Sequence, residues 1–363
     1  MRSRICYCTR FTLTLSIACL FTSICANADP IEAHPSIAIS GRVEFTPDGH
    51  ALLGYSGTRL RFTYTGGPVS IHLRSHGESN WMQSFINQER QEKLKVDTQW
   101  MTLSFPATAD TTPQQVELVK ATEGAEGLIE IASIEAADTA ELLPWTKPEF
   151  RRLEFIGDSI TCGYGIEAAT ANASWHPSTQ NFCDTYAWHT AHALGADYLV
   201  VARSGIGMVR NYDGPYEGSD AALPSLYSRS FFTHPEALWD ASRFIPDVVC
   251  INLGTNDFST SGVNPDRFEA AYQNFVEQLL MQYPESTRIV CLLGPMLNDP
   301  DVKEGLMRVV KRCNRNLVSP RVFHFELSAQ GELGYGADWH PSKAQALRNA
   351  RELTAYLRGL MHW

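Results

Sequence analysis

The sequence predicts two domains: an antiparallel, jelly-roll-like β-sandwich over residues 29–146 and an α/β three-layer domain with a parallel sheet over residues 150–363. Three observations predict this. Apolar residues alternate with polar ones from about Ile37 to Ile134, a proline-bearing stretch then interrupts the pattern, and beyond it short apolar strands alternate with amphipathic helices. A chain of 363 residues with 44% hydrophobic and 19% charged residues suits two ordinary domains and excludes a disordered or collagen-like protein.

The N-terminal 28 residues read as a leader rather than as part of either domain. Arg2, Arg4 and Arg10 precede an uncharged stretch from Phe11 to Cys25, and Ala26-Asn27-Ala28 offers a small-x-small cleavage site, so export with cleavage before Asp29 is expected, to the periplasm or the medium. The run is too short and too rich in Ser and Thr for a membrane anchor, and no later segment is apolar enough to span a bilayer. Without the leader the chain keeps 27 basic and 40 acidic residues, a net charge of −13. That sign repels nucleic acid and anionic membranes and is compatible with a neutral substrate.

Four of the nine cysteines leave with the leader. Cys250 and Cys291 lie inside apolar runs and read as buried thiols. Cys162 and Cys183 flank a polar loop and could pair in an oxidising compartment, so a Cys162–Cys183 disulfide and two separate thiols both stay open.

In the first domain, Leu60-Phe62-Tyr64 and Val69-Ile71-Leu73 alternate on either side of Gly66-Gly67-Pro68. Further runs follow at Met101-Leu103-Phe105, Val116-Leu118 and Ile129-Ile131. Short strands separated by Gly, Pro, Asp and Thr clusters indicate an antiparallel sandwich. Leu143–Pro148 then reads as a stiff linker, because neither of its prolines fits a helix interior or a central strand.

In the second domain, apolar strands are expected at Leu153–Ile156, Tyr198–Ala202, Val248–Leu253, Ile289–Leu293 and Val322–Phe325. Helices are expected at Thr185–Leu194, Pro265–Met281, Val302–Asn314 and Ser342–Leu360. Within the second of these helices Phe268, Ala271, Tyr272, Phe275 and Leu279 recur every three or four residues, Pro265 and Asp266 suit the first turn, and Pro284 follows the end. Strands that are apolar on both faces belong to a sheet covered by helices on both sides.

Ligands of an open parallel sheet bind at the carboxyl ends of its strands. Four such ends carry unusual polar residues: Gly157-Asp158-Ser159, Arg203-Ser204-Gly205, Gly254-Thr255-Asn256-Asp257 and, before the last helix, Asp338-Trp339-His340-Pro341. A serine, a glycine, an asparagine and a histidine therefore converge on one edge.

The order and context of these four blocks resemble an SGNH (GDSL-type) hydrolase across residues 150–363. The resemblance implies Ser159 as nucleophile and His340 as general base, with the oxyanion held by the backbone N–H groups of Ser159 and Gly205 and the side chain of Asn256. The residue types suit the chemistry. A serine hydroxyl needs a base to remove its proton, an imidazole titrates near neutral pH, and the tetrahedral oxyanion needs fixed donors. The sandwich, the short linker, Gly157-Asp158-Ser159-Ile160-Thr161-Cys162-Gly163-Tyr164-Gly165, Asp338-Trp339-His340-Pro341-Ser342 and Lys120-Ala-Thr-Glu123 together resemble carbohydrate esterase family two. That resemblance implies removal of O-acetyl groups from plant polysaccharides such as xylan and glucomannan, with a tendency towards the 6-O position and without metal or other cofactor.

One position departs from the wider SGNH pattern. The usual acid three residues before the histidine is Ala337, and Asp338 lies only two residues before it. Either Asp338 reaches His340 through a local kink, or a backbone carbonyl orients the ring and the pair works as a Ser-His dyad. The dyad is favoured, since only the tautomer must be fixed. Trp339 can stack on a sugar ring or pack the histidine loop, and Tyr216 lies in a long aromatic-rich connection, Tyr212–Trp239, suited to substrate binding. Asp158 and Asp257 are expected to brace their turns. The pairs His189/His192 and His72/His76 lack a third ligand, so no metal site is expected. Another SGNH acyl-hydrolase of lysophospholipase type and a non-catalytic carbohydrate-binding protein are the competing readings.

Overall fold

Alternation in the first domain turns Leu60, Phe62, Tyr64, Val69, Ile71, Leu73, Val116 and Leu118 inward, and all are buried in one core. The computed structural model describes residues 31–108, 112–146 and 149–363, with the two-residue strand Cys19–Leu20 paired to Leu103 and Thr102. The remainder of the expected leader 1–28 and linker residues 147–148 lie outside the described residues. One antiparallel sheet of the sandwich runs Met101–Phe105, Val69–Ser75, Ile129–Ala136, Ala51–Leu53, Val43–Phe45. The other runs Ala140–Leu143, Arg59–Gly66, Gln114–Lys120, Trp81–Ile86, Glu89–Arg90, with Ile37–Ser40 also on Arg59–Gly66.

The second domain holds a five-stranded parallel sheet of β1 (Arg151–Gly157), β2 (Ala196–Ala202), β3 (Val248–Asn252), β4 (Arg288–Leu293) and β5 (Val322–Glu326). The spatial order is β2-β1-β3-β4-β5. A four-residue helix α1 (Ser159–Cys162) follows β1, and the longer helices are α2 (Tyr186–Leu194), α3 (Pro265–Gln282), α4 (Pro300–Asn314) and α5 (Lys343–Met361). Side-chain caps fix their starts. Thr185 accepts from the Trp188 N–H, Asn264 from Arg267, Asp299 from Asp301 and Ser342 from Gln345, each contributing on the order of 1 kcal/mol. Helices α2 and α5 pack together over one face of the sheet and α3 with α4 over the other, giving the expected three layers. The long connection Tyr212–Trp239 is less open than its length suggests: it folds a short hairpin, Arg229–Phe231 with His234–Leu238.

Buried polar groups join the domains. Arg42 of the sandwich donates to the carbonyls of Tyr227 and Arg229 and lies 3.5 Å from Glu154 of β1, which also accepts from the hydroxyls of Tyr227 and Tyr283 at 2.9 Å. Arg59 bridges Glu117 of its own sheet and Asp197 of β2. The Phe182 N–H donates to the Ala121 carbonyl at 3.0 Å.

The disulfide that the sequence left open is not formed: Cys162 and Cys183 are separate buried thiols. Each is committed elsewhere. Cys162 Sγ points to Glu123 Oε2 at 3.9 Å, and Cys183 sits in a turn whose N–H is capped by Asn181. Burial pushes both thiols well above the usual cysteine range. Among the described residues no helix is long and apolar enough to cross a membrane, and no metal-binding cluster is found.

Candidate active site

In a sheet of order 2-1-3-4-5 the chain reverses direction between β1 and β3, and this leaves a crevice at their carboxyl ends. Ser159 lies just past β1, Gly205 past β2 and Asn256 past β3, so the topology alone brings three of the four blocks to one edge. Asp158 caps α1 by accepting the Ile160 N–H at 3.0 Å, which sets Ser159 on the first turn. His340 arrives from the loop before α5, and its Nε2 lies 2.8 Å from Ser159 Oγ.

The surroundings of His340 fix its tautomer. Nδ1 faces two carbonyl oxygens, Ala337 at 3.1 Å and Asp338 at 3.2 Å, and a carbonyl can only accept. The proton therefore sits on Nδ1, and Nε2 presents its lone pair to the serine hydroxyl. Burial holds the imidazole below its ordinary pKa of 6.5, while the two carbonyls and Asp338 oppose that shift. The ring packs on Tyr164 at 4.3 Å between centroids, and Trp175 stacks on Tyr164 at 5.4 Å.

Asp338 does not orient the histidine with its carboxylate. Its Oδ2 accepts from the Tyr164 hydroxyl at 2.8 Å. The reason is local backbone: Asp338 and Trp339 have φ of 47° and 61°, a left-handed pair outside glycine, and this turn presents carbonyls rather than the Asp338 side chain to Nδ1. Gln330 Nε2 donates to the Trp339 carbonyl at 2.7 Å and the Gly336 N–H to the His340 carbonyl at 2.8 Å, which holds the turn. Trp339 is 55% exposed, edge-on to Tyr335 at 5.1 Å, so the indole is available beside His340. Tyr216 is 47% exposed on the loop that follows Gly205.

The carboxamide of Asn256 is set by donation from Nδ2 to the Ile206 carbonyl at 2.8 Å, with Asp158 Oδ2 at 3.4 Å. Asp257 accepts the N–H groups of Met208, Val209 and Arg210 at 2.7–2.9 Å, so it braces the turn after Gly205, where the sequence had suggested its own turn. Burial pushes Asp158 up to about 7 and raises Asp257 as well.

Three contributors were given no role of their own in the sequence. Buried Arg210 donates to Gly214, Asn256, Ser259, Thr260 and Ser261, tying the loop after Gly205 to the loop after Asn256. Tyr164 supports the histidine; its place between Gly163 and Gly165 was the only local sign. Glu123 of the sandwich reaches Ser204, and Lys120-Ala-Thr-Glu123 had entered only as one of the blocks that carry the resemblance.

The void beside Ser159 is about 10 Å³, lined by Ile160, Tyr164, Ile166, Tyr186 and Pro341 among others. A larger cavity of about 260 Å³ lies between the domains, near the start of β2, with Arg59, Trp145 and Trp188 in its wall.

Comparison with known proteins places the chain. Residues 39–145 match the carbohydrate esterase 2 N-terminal family and residues 155–344 the GDSL-like lipase/acylhydrolase family. The chain is 34% identical over 340 residues to the cellulase/esterase CelE of Acetivibrio thermocellus, covering 92% of this chain but only 40% of that longer protein. It is 30% identical over 367 residues to an acetylxylan esterase / glucomannan deacetylase of Cellvibrio japonicus, covering 97% of this chain and 99% of the relative. Among solved structures, a family two carbohydrate esterase from Clostridium thermocellum in complex with cellohexaose superposes with a TM-score of 0.84 at 32% identity, covering 90% of this chain and 99% of the other. One from Cellvibrio japonicus superposes with a TM-score of 0.82 at 28% identity, covering 96% and 99%. With both domains matched in order and full-length similarity to one of its members, this chain belongs to carbohydrate esterase family two.

Proposed function

We propose that the protein is an exported serine esterase that removes O-acetyl groups from plant polysaccharides such as acetylated xylan or glucomannan, with preference for the 6-O position. The observation that carries this reading is the 2.8 Å contact between Ser159 Oγ and a His340 Nε2 that must be the unprotonated nitrogen. Ser159 attacks the acetyl carbonyl as His340 takes its proton. The tetrahedral oxyanion is met by the N–H groups of Ser159 and Gly205 and by Asn256 Nδ2, each such donor contributing roughly 3 kcal/mol to lowering the barrier. His340, now protonated on both nitrogens and facing two carbonyls, gives the proton to the departing sugar hydroxyl. Water then attacks the acetyl-enzyme and acetate leaves.

Exposed Trp339 offers a face on which a sugar ring can stack. The relatives' names point to the same substrates. Acetate release from acetylated xylan and glucomannan by the native protein and by Ser159→Ala tests the reading. Release by the native chain and none by the variant is expected, and retained activity in the variant would remove Ser159 as nucleophile. Product analysis resolved by acetyl position tests the 6-O preference.

A further inference from the structure

We propose that Glu123, a residue of the sandwich, is a positioning residue for the oxyanion-binding turn of the second domain, with Lys120 holding it in place. The inference rests on the reading of Gly205 as an oxyanion donor. Glu123 is 2% exposed and lies across the domain boundary from its partners. Its Oε2 accepts the Ser204 N–H at 2.6 Å, and its Oε1 accepts from the Ser204 hydroxyl and, at 3.4 Å, from Gln180 Nε2. Ser204 immediately precedes Gly205. The same carboxylate meets the Ser159 side of the site, where Cys162 Sγ points at Oε2 from the end of α1 and Gln180 also bonds the Cys162 carbonyl at 3.5 Å.

One side chain of the sandwich thus holds the turn that carries Gly205 and touches the end of the short helix that begins at Ser159. Two hydrogen bonds to a single residue fix the Ser204 backbone in rotation as well as position, and the direction of the next N–H follows from it. Burying a carboxylate in this way is costly unless it is fully bonded, so a role limited to filling space would be better served by an apolar residue. The loop that carries Glu123 is itself held from below. Lys120, fully buried, donates Nζ to the carbonyls of Thr122 and Glu123 at 3.0 and 2.9 Å. Thr122 Oγ1 accepts the Trp81 N–H and donates to Asn80 Oδ1.

The test compares Glu123→Ala and Glu123→Gln in the full chain, using an aryl acetate for kcat and KM and thermal unfolding for Tm. Glu123→Ala is expected to lower kcat ~10–100-fold, because misplacing a preorganised donor costs rate without costing ground-state binding, while KM stays within about threefold. Glu123→Gln is expected to recover at least half of that loss on a logarithmic scale, since Gln can accept the Ser204 N–H and donate to its hydroxyl. In an Asn256→Ala background the Glu123→Ala loss should shrink, because both changes act on one oxyanion site. A kcat within twofold of native in folded Glu123→Ala, or losses that multiply independently with Asn256→Ala, would overturn the proposal. Should Glu123→Ala not fold, Ser204→Ala serves: it removes only the hydroxyl bond and should lower kcat severalfold at unchanged Tm, and an unchanged kcat counts against the role. Ser159→Ala run alongside separates the two claims, because if it stays active the esterase reading itself fails, whatever Glu123 does.

Discussion

Ala337 rests directly on Gly165: its N–H donates to the Gly165 carbonyl at 2.9 Å, and a β-carbon on Gly165 would run into the Ala337 methyl. The histidine loop is thereby seated on the turn that follows the short helix begun by Ser159. Gly165 also has a φ of 56°, which a side chain adopts only under strain. Gly165→Ala should therefore displace Ala337 and with it the carbonyl that His340 Nδ1 binds. A fall in kcat of ~10-fold or more in a folded protein is expected, and steady-state kinetics beside circular dichroism will show it.

Asp338 is the charged residue nearest His340 in sequence, yet its carboxylate is engaged by Tyr164. Asp338→Ala should cost less than about tenfold in kcat/KM, whereas loss of a true triad acid costs ~10⁴-fold in kcat. Tyr164→Phe removes the same hydrogen bond and should behave alike. A thousandfold loss in Asp338→Ala would show that the carboxylate swings onto the ring during turnover.

Burial lowers the His340 pKa, and the base must be neutral to act. A lowered pKa means that the ring loses its proton earlier as pH rises. The acid limb of kcat/KM is expected below pH 6.5, with activity level through neutrality. An acid limb above 6.5 in the pH profile would contradict the burial argument.

How far these features could be seen in the sequence depends on the distance over which each is determined. The blocks that hold Ser159, Gly205 and Asn256 were legible because each follows a strand end, and that of His340 because it stands directly before the last helix. The elements around them were legible from period and caps: Ser342 was expected to open the last helix and does so as its N-cap. The sequence favoured a backbone carbonyl over the Asp338 carboxylate on His340, but the bond from Tyr164 to Asp338 was not legible, because it follows from two positive φ angles that no residue type there announces. The same holds for Arg210, Glu123 and Arg42. Most of their partners lie tens to nearly two hundred residues away, and a buried charge in sequence looks like any other charge.

Arg42 and Glu154 make the case measurable. Arg42→Ala withdraws three hydrogen bonds and leaves Glu154, whose pKa burial already raises, with only its tyrosine donors. A loss of ~3–5 kcal/mol in urea unfolding is expected. Arg42→Met combined with Glu154→Gln should cost less than Arg42→Ala alone, because no uncompensated charge remains buried.

Cysteine chemistry gives a direct count. The five cysteines outside the expected leader are all buried thiols. A chain lacking residues 1–28 should show almost no reaction with a thiol reagent when native and five reactive thiols when unfolded without reductant. Three would reveal a disulfide.

The buried contacts that cross from sandwich to sheet also constrain ancestry. The side chains of Arg42 and Glu123 are satisfied by partners in the other domain and that of Arg59 in part, through Asp197, so neither half presents a finished surface by itself. A recombination event that exchanged one half for a foreign counterpart would strand ionised groups in a dry interface. The two halves are therefore expected to be inherited as a single unit, and to drift together.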